Sequence, residues 1–549
     1  MSKPVRWTQE LIDEYVRKGY WEETTLFDLW ERNAREIPDK EAIVDTNFRL
    51  TWAEAEKWID RLALGLLDLG LRRDDLIVVQ LPTGVEHTLL RVACEKAGIV
   101  CLPALRNLRD PEMEYILGHT DAVGLVIPWK YRDFDYFQMV QGLRPNLPRL
   151  QHVIVAGDEV PEGTLSIMEM VKRPIEKEVP EDTLRGKGLK STETSLIIHT
   201  TGTTGKPKFV EYATGHRLLT WRDNAKALGI TGEDVFALIT PHCGGIALPG
   251  FFGAPLLGCR LAFHQSPDME DAFRLIEKER VTVGCVVPTQ LAMMADHPAR
   301  EKYDLSSVRR WWCTGAPLPY EVGIRAEEKL PGIIVTLFGA SDWGAESINL
   351  PESSQEIRFR TVGKPLVEGS LIKLVDDDGQ EAGPGGVGEI WGSGPSCVSG
   401  YYKDLEATME VWTEDGWYKT GDLGKFDEAG NLMVVGRKKD MIIRGGMNVY
   451  PIEIENILLK HPKIKDVAIV GMPDPLMGQR ACAFVVSQPK EPLAFEEMTS
   501  FLKEKKVSSY KLPERLELVE EIPTVTGKPD KKGLTAVITE KLRAEGKIK

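Results

Sequence analysis

Several signatures of secreted, membrane-spanning and nucleic-acid-binding proteins are missing from this sequence. Its 83 acidic residues outnumber the 69 basic ones, and a formal net charge of -14 lacks the basic excess of a general nucleic-acid-binding surface. No stretch of about 18 uninterrupted apolar residues occurs, which argues against a membrane span. The segment from Met1 to Trp7 has no apolar core after a basic start. We therefore expect a cytoplasmic protein with no nucleic-acid partner and no membrane span.

Cysteine motifs are equally sparse. The chain contains eight cysteines and no C-x-x-C pair, which argues against a zinc site or a disulfide framework. Several lie inside apolar runs, so we predict buried free thiols. Cys243, beside His242 in a glycine-containing turn, is the one candidate for another role.

Internal repeats and low-complexity tracts are absent as well. The length of 549 residues indicates three or four domain-sized units of about 150 residues each. Short runs rich in Val and Ile alternate with helix-like segments. One such run extends from Leu76 to Leu81, and an amphipathic helix predicted from Gly84 to Lys96 follows it. This alternation predicts an α/β fold with parallel or mixed sheets covered by helices.

The character of the sequence changes twice toward the C-terminus. From about residue 366 the apolar runs are shorter and Gly and Pro more frequent, which predicts a β-rich, antiparallel or barrel-like module up to residue 439. After Gly436–Asp440 the pattern predicts a helix and two strands of a separate α+β unit. We therefore predict a large N-terminal domain over residues 1–439 and a smaller C-terminal domain over residues 440–549.

The stretch HTTGTTGKPK, from His199 to Lys208, has the composition of a phosphate-binding loop. Its glycines let backbone N–H groups converge on an anion, and its hydroxyls and lysines add donors and charge. The Walker pattern G-x-x-x-x-G-K-[ST] fails, because Pro207 follows the lysine and a threonine replaces the first glycine. A solvated loop between a strand and a helix is the alternative. The candidate phosphate-binding residues are Thr200, Thr201, Gly202, Thr203, Thr204, Gly205 and Lys206.

Seven motifs in a fixed order favour the phosphate interpretation. They are Thr200–Lys208, Gly315–Leu318, Phe338–Gly339 with an acid at Asp342, Tyr418–Asp422, Gly436–Asp440, Gly445–Gly446 and Pro523–Lys528. In this order the motifs resemble those of the adenylate-forming superfamily, which contains acyl- and aryl-CoA synthetases, adenylation domains of peptide synthetases and beetle luciferases. The resemblance covers residues 199–528. It implies that the protein activates a carboxylic acid with ATP and that a mobile C-terminal domain carries the catalytic lysine.

The resemblance assigns nucleotide contacts to particular residues. Asp422 would accept hydrogen bonds from both ribose hydroxyls, since a carboxylate can take two donors from a vicinal diol. Arg437 would be a second ribose contact, and the glycine- and threonine-rich loop would hold the β- and γ-phosphates. The remaining adenine and ribose contacts would be Gly315, Ala316, Pro317, Phe338 and Gly339.

Three further roles follow from the resemblance. Lys528 would bridge the substrate carboxylate and the α-phosphate, where a cation offsets the charge that grows in the transition state. Asp342 stands where the family usually carries a Glu that binds Mg²⁺; the shorter Asp could bind the metal directly or through water, or Glu346 could substitute. Asp440 resembles the hinge of the C-terminal domain, whose rotation would bring Gly445–Gly446 into place as a channel for the pantetheine arm of coenzyme A.

The acyl pocket is predicted by position in the motif order. His242 stands where the family carries an aromatic residue or a His that gates this pocket, and we include it among the catalytic candidates. Glycines would make room for the acid, and a tryptophan would offer it a flat apolar face. The predicted pocket residues are His242, Gly244, Gly245, Gly339 and Trp343.

The function predicted from these motifs is an AMP-forming acyl-CoA ligase that uses ATP, Mg²⁺ and coenzyme A. Cys243–Gly245 replaces the polar Asn typical of hydroxybenzoate activators, which favours an apolar aromatic, alicyclic or short acyl substrate and free coenzyme A. The segment Trp7–Trp21 also resembles that of stand-alone dihydroxybenzoate-AMP ligases, so loading of a carrier protein is the alternative. A nucleotide-binding protein without catalysis is a third, indicated only by Asp342 and Phe209. Monomer and homodimer both stay open.

Overall fold

The computed structural model describes residues 6–157, 159–200, 207–239, 248–266, 268–344, 347–488, 493–525 and 528–548. Over these ranges the strands form two large sheets, a four-stranded sheet, a five-stranded sheet near the C-terminus and two small two-stranded pairs. Helices cover the large sheets, and the predicted α/β fold class is confirmed.

The first large sheet has seven strands, which pair in parallel except at one edge. Parallel strands are buried on both faces and therefore read as continuous apolar runs, as the Val- and Ile-rich segments do. In sheet order the strands are Phe209–Ala213, Thr194–His199, Val100–Pro103, Leu76–Val79, Gly124–Pro128, His152–Ala156 and Leu165–Ser166.

The second large sheet has nine strands, and its six central strands pair in parallel. Antiparallel strands complete both edges. In sheet order the strands are Lys364–Pro365, Ser347–Ile348, Ile333–Phe338, Arg310–Cys313, Val283–Val286, Val235–Leu238, Arg260–Phe263, Glu41–Val44 and Arg49–Thr51.

Local sequence signals fix the ends of the helices that cover these sheets. Thr51 and Glu54 form a capping box at the start of Trp52–Asp68, and Gly98 ends Val85–Ala97 in the left-handed conformation. The α-helices before residue 440 are Gln9–Arg17, Leu26–Glu36, Trp52–Asp68, Val85–Ala97, Asp110–Thr120, Tyr136–Leu143, Ile167–Lys172, Thr214–Leu228, Ala254–Leu257, Met269–Glu279, Pro288–Asp296, Tyr320–Lys329, Gln355–Arg360 and Leu405–Val411.

The helix Val85–Ala97 lies where an amphipathic helix is predicted from Gly84 to Lys96, but almost all of it is buried. Twelve of its 13 residues are buried, and it packs against Trp52–Asp68. Two of its charged residues have partners in the interior: the ammonium of Lys96 lies 2.6 Å from a carboxylate oxygen of Glu56, and Glu95 accepts hydrogen bonds from a backbone N–H and a threonine hydroxyl. Because these partners satisfy the charges, the polar positions of this helix do not mark a solvent-exposed face.

The four-stranded sheet lies within residues 366–439, where the sequence predicts a β-rich module. Its neighbours pair antiparallel throughout, and chain order equals sheet order. The strands are Leu371–Val375, Gly388–Ser393, Tyr418–Phe426 and Leu432–Arg437. The exact domain limits stay a prediction.

The described residues beyond 440 form an α+β arrangement around a five-stranded sheet. Apolar side chains alternate between the two faces of its longest strands and build one cluster on each face, and both clusters consist of residues from 442 onward. The strands are Ile442–Arg444, Met447–Val449, Ile464–Asp474, Gly478–Ser487 and Arg515–Leu518. The helices are Pro451–Leu458, Phe495–Glu504 and Lys531–Ala544.

Two sequence expectations concern the chain as a whole. Among the described residues, no helix combines the length and apolar character needed to cross a membrane. The seven cysteines within the described ranges are free and buried, as predicted. Cys243 lies outside those ranges.

Candidate active site

The adenine candidates lie at the carboxyl ends of adjacent parallel strands. Gly315 follows the strand Arg310–Cys313, and Phe338 ends the neighbouring strand Ile333–Phe338. The hydroxyl of Thr314 donates to the carbonyl of Leu337 at 3.1 Å, which ties the two strand ends together. Gly315 has a φ of +93°, a conformation that favours glycine. This edge is where open α/β sheets bind ligands.

These strand ends leave polypeptide accessible to a ligand. Gly315 and Pro317 are exposed, and Ala316, Phe338 and Gly339 are partly buried. A flat base could therefore approach the backbone without displacing core side chains.

The candidate phosphate loop joins two antiparallel strands of the first large sheet, Thr194–His199 and Phe209–Ala213. The backbone N–H of Thr200 donates to the carbonyl of Lys208 at 2.7 Å, and the N–H of Lys208 donates to the Thr200 hydroxyl at 3.1 Å. The two strands therefore form a hairpin, and residues 201–206 between them lie outside the described ranges. Both the Walker loop and the plain connection between a strand and a helix are excluded at this position, because a strand follows the loop.

Asp422 and Arg437 face each other across two neighbouring strands of the four-stranded sheet. The Arg437 Nε lies 3.0 Å from Asp422 Oδ1. The exposed fraction of the side chain is 11 % for Asp422 and 41 % for Arg437. Burial raises the pKa of Asp422, while Arg437 and then Lys528 oppose that shift. The carboxylate is thus held in place by one cation and lies within the field of a second.

Lys528 is brought to this group from the C-terminal part of the chain, on the short strand Lys528–Pro529. The surrounding protein lowers the pKa of its ammonium although part of the side chain is exposed, and the charge of Arg437 lowers it further. Asp422 and Asp342 act in the opposite direction. Four residues predicted from separate motifs therefore lie within electrostatic reach of one another.

Asp342 is held by a tyrosine that sequence reasoning did not single out. The hydroxyl of Tyr401 donates to Asp342 Oδ2 at 2.7 Å. The hydroxyl of Tyr418 interacts with the same carboxylate and with Tyr401. Burial, followed by the charge of Asp342, raises the pKa of both tyrosines, so both hydroxyls keep their protons as donors. The sequence offered one signal, because Tyr418 opens the motif that ends at Asp422.

Trp343 lies in the core beside this carboxylate. It is fully buried, its ring stacks on Tyr418 with centroids 6.5 Å apart, and Phe338 lies at 5.4 Å. Gly392 makes room for it, since a Cβ at that position would come within 2.1 Å of the indole. Trp343 therefore supports the loop that carries Asp342; its predicted role as a pocket wall stays a prediction.

Gly445 and Gly446 form the two-residue turn between Ile442–Arg444 and Met447–Val449. Their φ angles are +56° and +81°, which this hairpin turn requires. The N–H of Gly445 donates to the carbonyl of Met477 at 2.9 Å. Asp440 ends a short 3-10 turn, Lys438–Asp440, between the four-stranded sheet and the C-terminal sheet. The hinge role of Asp440 and the channel role of Gly445 and Gly446 stay predictions.

Several predicted site residues lie outside the described ranges. They are Thr201, Gly202, Thr203, Thr204, Gly205 and Lys206 of the phosphate loop, His242, Gly244 and Gly245 of the acyl pocket, and the alternative metal ligand Glu346.

A magnesium ion fits the chemistry of Asp342. Mg²⁺ is commonly bound through one or two carboxylates together with substrate phosphates. The described residues contain no group of three or more His, Cys, Asp or Glu side chains arranged to hold a metal. The protein would therefore supply a carboxylate oxygen from Asp342 and leave the other positions to phosphate and water.

Comparison with known proteins agrees with this geometry. The family profile described as AMP-binding enzyme matches residues 30–402, and the profile of the AMP-binding enzyme C-terminal domain matches residues 453–528. A 2,3-dihydroxybenzoate-AMP ligase of Bacillus subtilis is 32% identical over 541 residues, covering 98% of both chains. A medium-chain fatty-acid–CoA ligase of Escherichia coli is 31% identical over 526 residues, covering 94% of this chain and 91% of the relative.

Solved structures give the same result. MbtA of Mycobacterium smegmatis is 28% identical with a TM-score of 0.72, covering 97% of this chain and 98% of its own. The anthranilate CoA ligase AuaEII shares the fold with a TM-score of 0.85 at 24% identity, covering 95% of this chain and 98% of its own.

Proposed function

Because this chain belongs to the AMP-binding enzyme family of adenylate-forming acid ligases, we propose that it activates a small or medium carboxylic acid and transfers the acyl group to coenzyme A. The proposed acid is aromatic, alicyclic or short-chain. The carboxylate attacks the α-phosphorus of ATP, pyrophosphate leaves, and the coenzyme A thiol then displaces AMP from the acyl-adenylate.

The observation that carries this proposal is the convergence of Asp422, Arg437, Asp342 and Lys528. Two carboxylates and two cations from four separate segments lie within electrostatic reach of one another. A structural ion-pair network would need no such spread along the chain. Adenylation needs a carboxylate for the ribose and a cation where two anions meet, and this group provides both.

Each of these residues has a step to perform. Asp422, buried beside Arg437, would accept hydrogen bonds from the two ribose hydroxyls and so orient the α-phosphate. Lys528 would stabilise the negative charge shared by the attacking carboxylate and the α-phosphate, and would do so best while protonated. The segment Thr200–Lys208 would hold the leaving pyrophosphate.

Asp342 would hold the divalent ion, whose chemistry is to supply positive charge next to the phosphates. The chain's own contribution is to fix the carboxylate, which accepts a hydrogen bond from Tyr401. No described metal-ligand cluster replaces this single carboxylate.

The thiol acceptor is the finer part of the proposal. Coenzyme A is favoured by Cys243–Gly245, which lacks the polar residue typical of hydroxybenzoate activators. Relatives of both kinds match, including the fatty-acid–CoA ligase and the 2,3-dihydroxybenzoate-AMP ligase already described. The similarity of the latter over 98% of the chain supports a second candidate function, the loading of a carrier-protein phosphopantetheine thiol.

A two-stage assay tests the proposal. Pyrophosphate exchange is first measured over a panel of short aliphatic, alicyclic and aromatic acids, with Lys528→Ala as the control variant. We expect exchange with at least one acid, reduced by about 100-fold or more in the variant, because removing a transition-state charge contact costs this much. AMP release is then measured with coenzyme A and, in parallel, with a phosphopantetheinylated carrier protein.

The possible results separate the candidates. Release with coenzyme A supports the proposed acceptor, and release only with the carrier protein supports the second function. Absence of exchange with every acid, in a protein that still binds ATP, would overturn both and favour a nucleotide-binding protein without catalysis.

A further inference from the structure

The carboxylate of Asp342 lies beside two phenol hydroxyls at the edge of the candidate site. Tyr401 donates to Oδ2 at 2.7 Å, and the hydroxyl of Tyr418 interacts with both partners. Asp342 is only partly buried, and its charge reaches Lys528 and Asp422. The carboxylate therefore accepts a hydrogen bond from Tyr401 and also lies within electrostatic reach of Asp422 and Lys528.

The Tyr401 phenol is held rigidly. Its backbone N–H donates to the hydroxyl of Thr408 at 2.9 Å, and its backbone bridges to Val210 beside the phosphate hairpin. The Tyr401 side chain is buried. The ammonium of Lys208, which lies next to the second strand of that hairpin, is 4.6 Å from the centroid of the Tyr401 ring. These contacts hold the Tyr401 ring from several directions, and its hydroxyl donates to Asp342.

The Tyr418 phenol is held by independent contacts. Its ring stacks on Trp343, the residue after Asp342, and lies 5.0 Å from the ring of Trp412. Trp343 in turn occupies the space left by Gly392. The two hydroxyls therefore reach Asp342 from separate segments, each fixed by its own packing.

We propose that Tyr401 and Tyr418 are positioning residues that fix the Asp342 carboxylate for the divalent cation of the nucleotide complex. A carboxylate has about four lone-pair sites, so two hydroxyl donors leave positions for a cation. Second-shell hydrogen bonds of this kind orient metal ligands, and their loss typically lowers metal affinity by about 10- to 100-fold. The inference rests on the proposed function, because it assumes that Asp342 meets metal-bound nucleotide.

The test measures metal binding directly, with no acid substrate present. Mn²⁺ is titrated into the protein with α,β-methylene-ATP, and free Mn²⁺ is followed by electron paramagnetic resonance. We expect Tyr401→Phe to weaken Mn²⁺ binding by about tenfold, with unchanged binding of the same nucleotide in EDTA. Tyr418→Phe should act in the same direction. Tyr402→Phe is the matched control, since Tyr402 is the neighbouring buried tyrosine and its backbone N–H donates to Phe209.

A mutant cycle separates positioning from general destabilisation. In an Asp342→Asn background, Tyr401→Phe should cause no further loss of Mn²⁺ affinity, because the carboxylate it holds is gone. An equal loss in both backgrounds, or an equal loss of nucleotide affinity in EDTA, would overturn the proposal. If Tyr401→Phe lowers the melting temperature by more than the Tyr402→Phe control, Tyr418→Phe decides between the outcomes.

Failure of this inference can be distinguished from failure of the proposed function. Pyrophosphate exchange by the wild-type protein reports on adenylation, whereas the Mn²⁺ titration reports only on Asp342 and its tyrosines. Normal exchange together with unchanged Mn²⁺ affinity in both tyrosine variants would reject the positioning role and keep the ligase function.

Discussion

Burial has the largest effect on the pKa values of single side chains in the candidate site, and the charges of neighbouring residues come next. Arg437 stabilises the buried carboxylate of Asp422 and at the same time lowers the pKa of Lys528. One arginine thus favours the charged form of the ribose-binding candidate and makes the lysine ammonium easier to deprotonate. The consequence is a pH dependence that can be measured.

We expect the kcat/KM for ATP in pyrophosphate exchange to fall at alkaline pH before an ordinary lysine would deprotonate. The pKa of Lys528 is lowered, and a lysine is cationic only below its pKa, so its charge is lost earlier as pH rises. The ratio kcat/KM reports the free enzyme, in which this shift applies. The alkaline decrease in kcat/KM is measured over a pH series from about 7 to about 10, which lies below the usual lysine pKa.

Lys528→Arg is the matched variant for this profile. Arginine stays protonated throughout such a series, so the alkaline limb should disappear even where the rate is reduced. A limb of the same midpoint in the arginine variant would assign the titration to another group.

The order of the motifs predicts that Asp422, Arg437 and Lys528 come together, whereas it gives no indication of Tyr401 beside Asp342. Asp422, Arg437 and Lys528 stand in motifs whose order identifies them, and they meet in the structure. Tyr401 lies 59 positions from Asp342 along the chain, and only tertiary packing brings its hydroxyl to the carboxylate. No local spacing predicts such a contact.

At the level of helices and strands, the pattern of apolar residues predicts that an element is present better than it predicts which of its faces are buried. The Val- and Ile-rich runs predicted the parallel strands, because burial on both faces demands continuous apolar sequence. The same reasoning was wrong for the faces of Val85–Ala97, where interior partners satisfy the charges of Lys96 and Glu95. Whether a polar residue meets water or a buried partner depends on contacts that a periodic pattern does not contain.

The strand Gly388–Ser393 gives a prediction at this level. A Cβ at Gly392 would come 2.1 Å from the fully buried Trp343 ring, so Gly392→Ala forces the ring or the strand to move. We expect a loss of about 1–3 kcal/mol in the free energy of unfolding, the usual cost of overpacking a core. Urea denaturation measures it. Gly383→Ala is the matched control, because no atom lies within 4 Å of its added Cβ.

This substitution also probes the support of Asp342. A displaced Trp343 would disturb the stacked Tyr418 ring, so Mn²⁺ affinity should fall together with stability. Wild-type stability in Gly392→Ala would show that the ring relaxes freely and that the strand does not brace the site.

The whole molecule consists of a large N-terminal part and a C-terminal part with its own cores, and Lys528 links them at the site. The C-terminal helix Pro451–Leu458 packs against the strand Leu432–Arg437, and the Lys460 ammonium lies 3.3 Å from a carboxylate oxygen of Glu321. This arrangement suits adenylation, because the lysine lies within electrostatic reach of Asp422. The Gly445–Gly446 turn packs instead beside Met477 within the C-terminal part. We propose that the second half-reaction uses this turn after a reorientation of the C-terminal part.

The Gly446 turn therefore gives a prediction that separates the two half-reactions. Gly446 has a φ of +81° and no atom within 4 Å of an added Cβ, so Gly446→Ala brings backbone strain without a clash. Gly446→Leu brings the same strain and adds bulk at the proposed pantetheine channel. We expect both variants to retain pyrophosphate exchange, and the leucine variant alone to lose thioester formation from supplied acyl-adenylate, by about tenfold or more, as one misplaced group in a reacting geometry does. Stopped-flow measurement of AMP release after mixing with coenzyme A tests this difference. The two variants share the backbone strain and differ only in side-chain bulk. Equal rates of thioester formation in Gly446→Ala and Gly446→Leu would therefore place the thiol path elsewhere on the molecule.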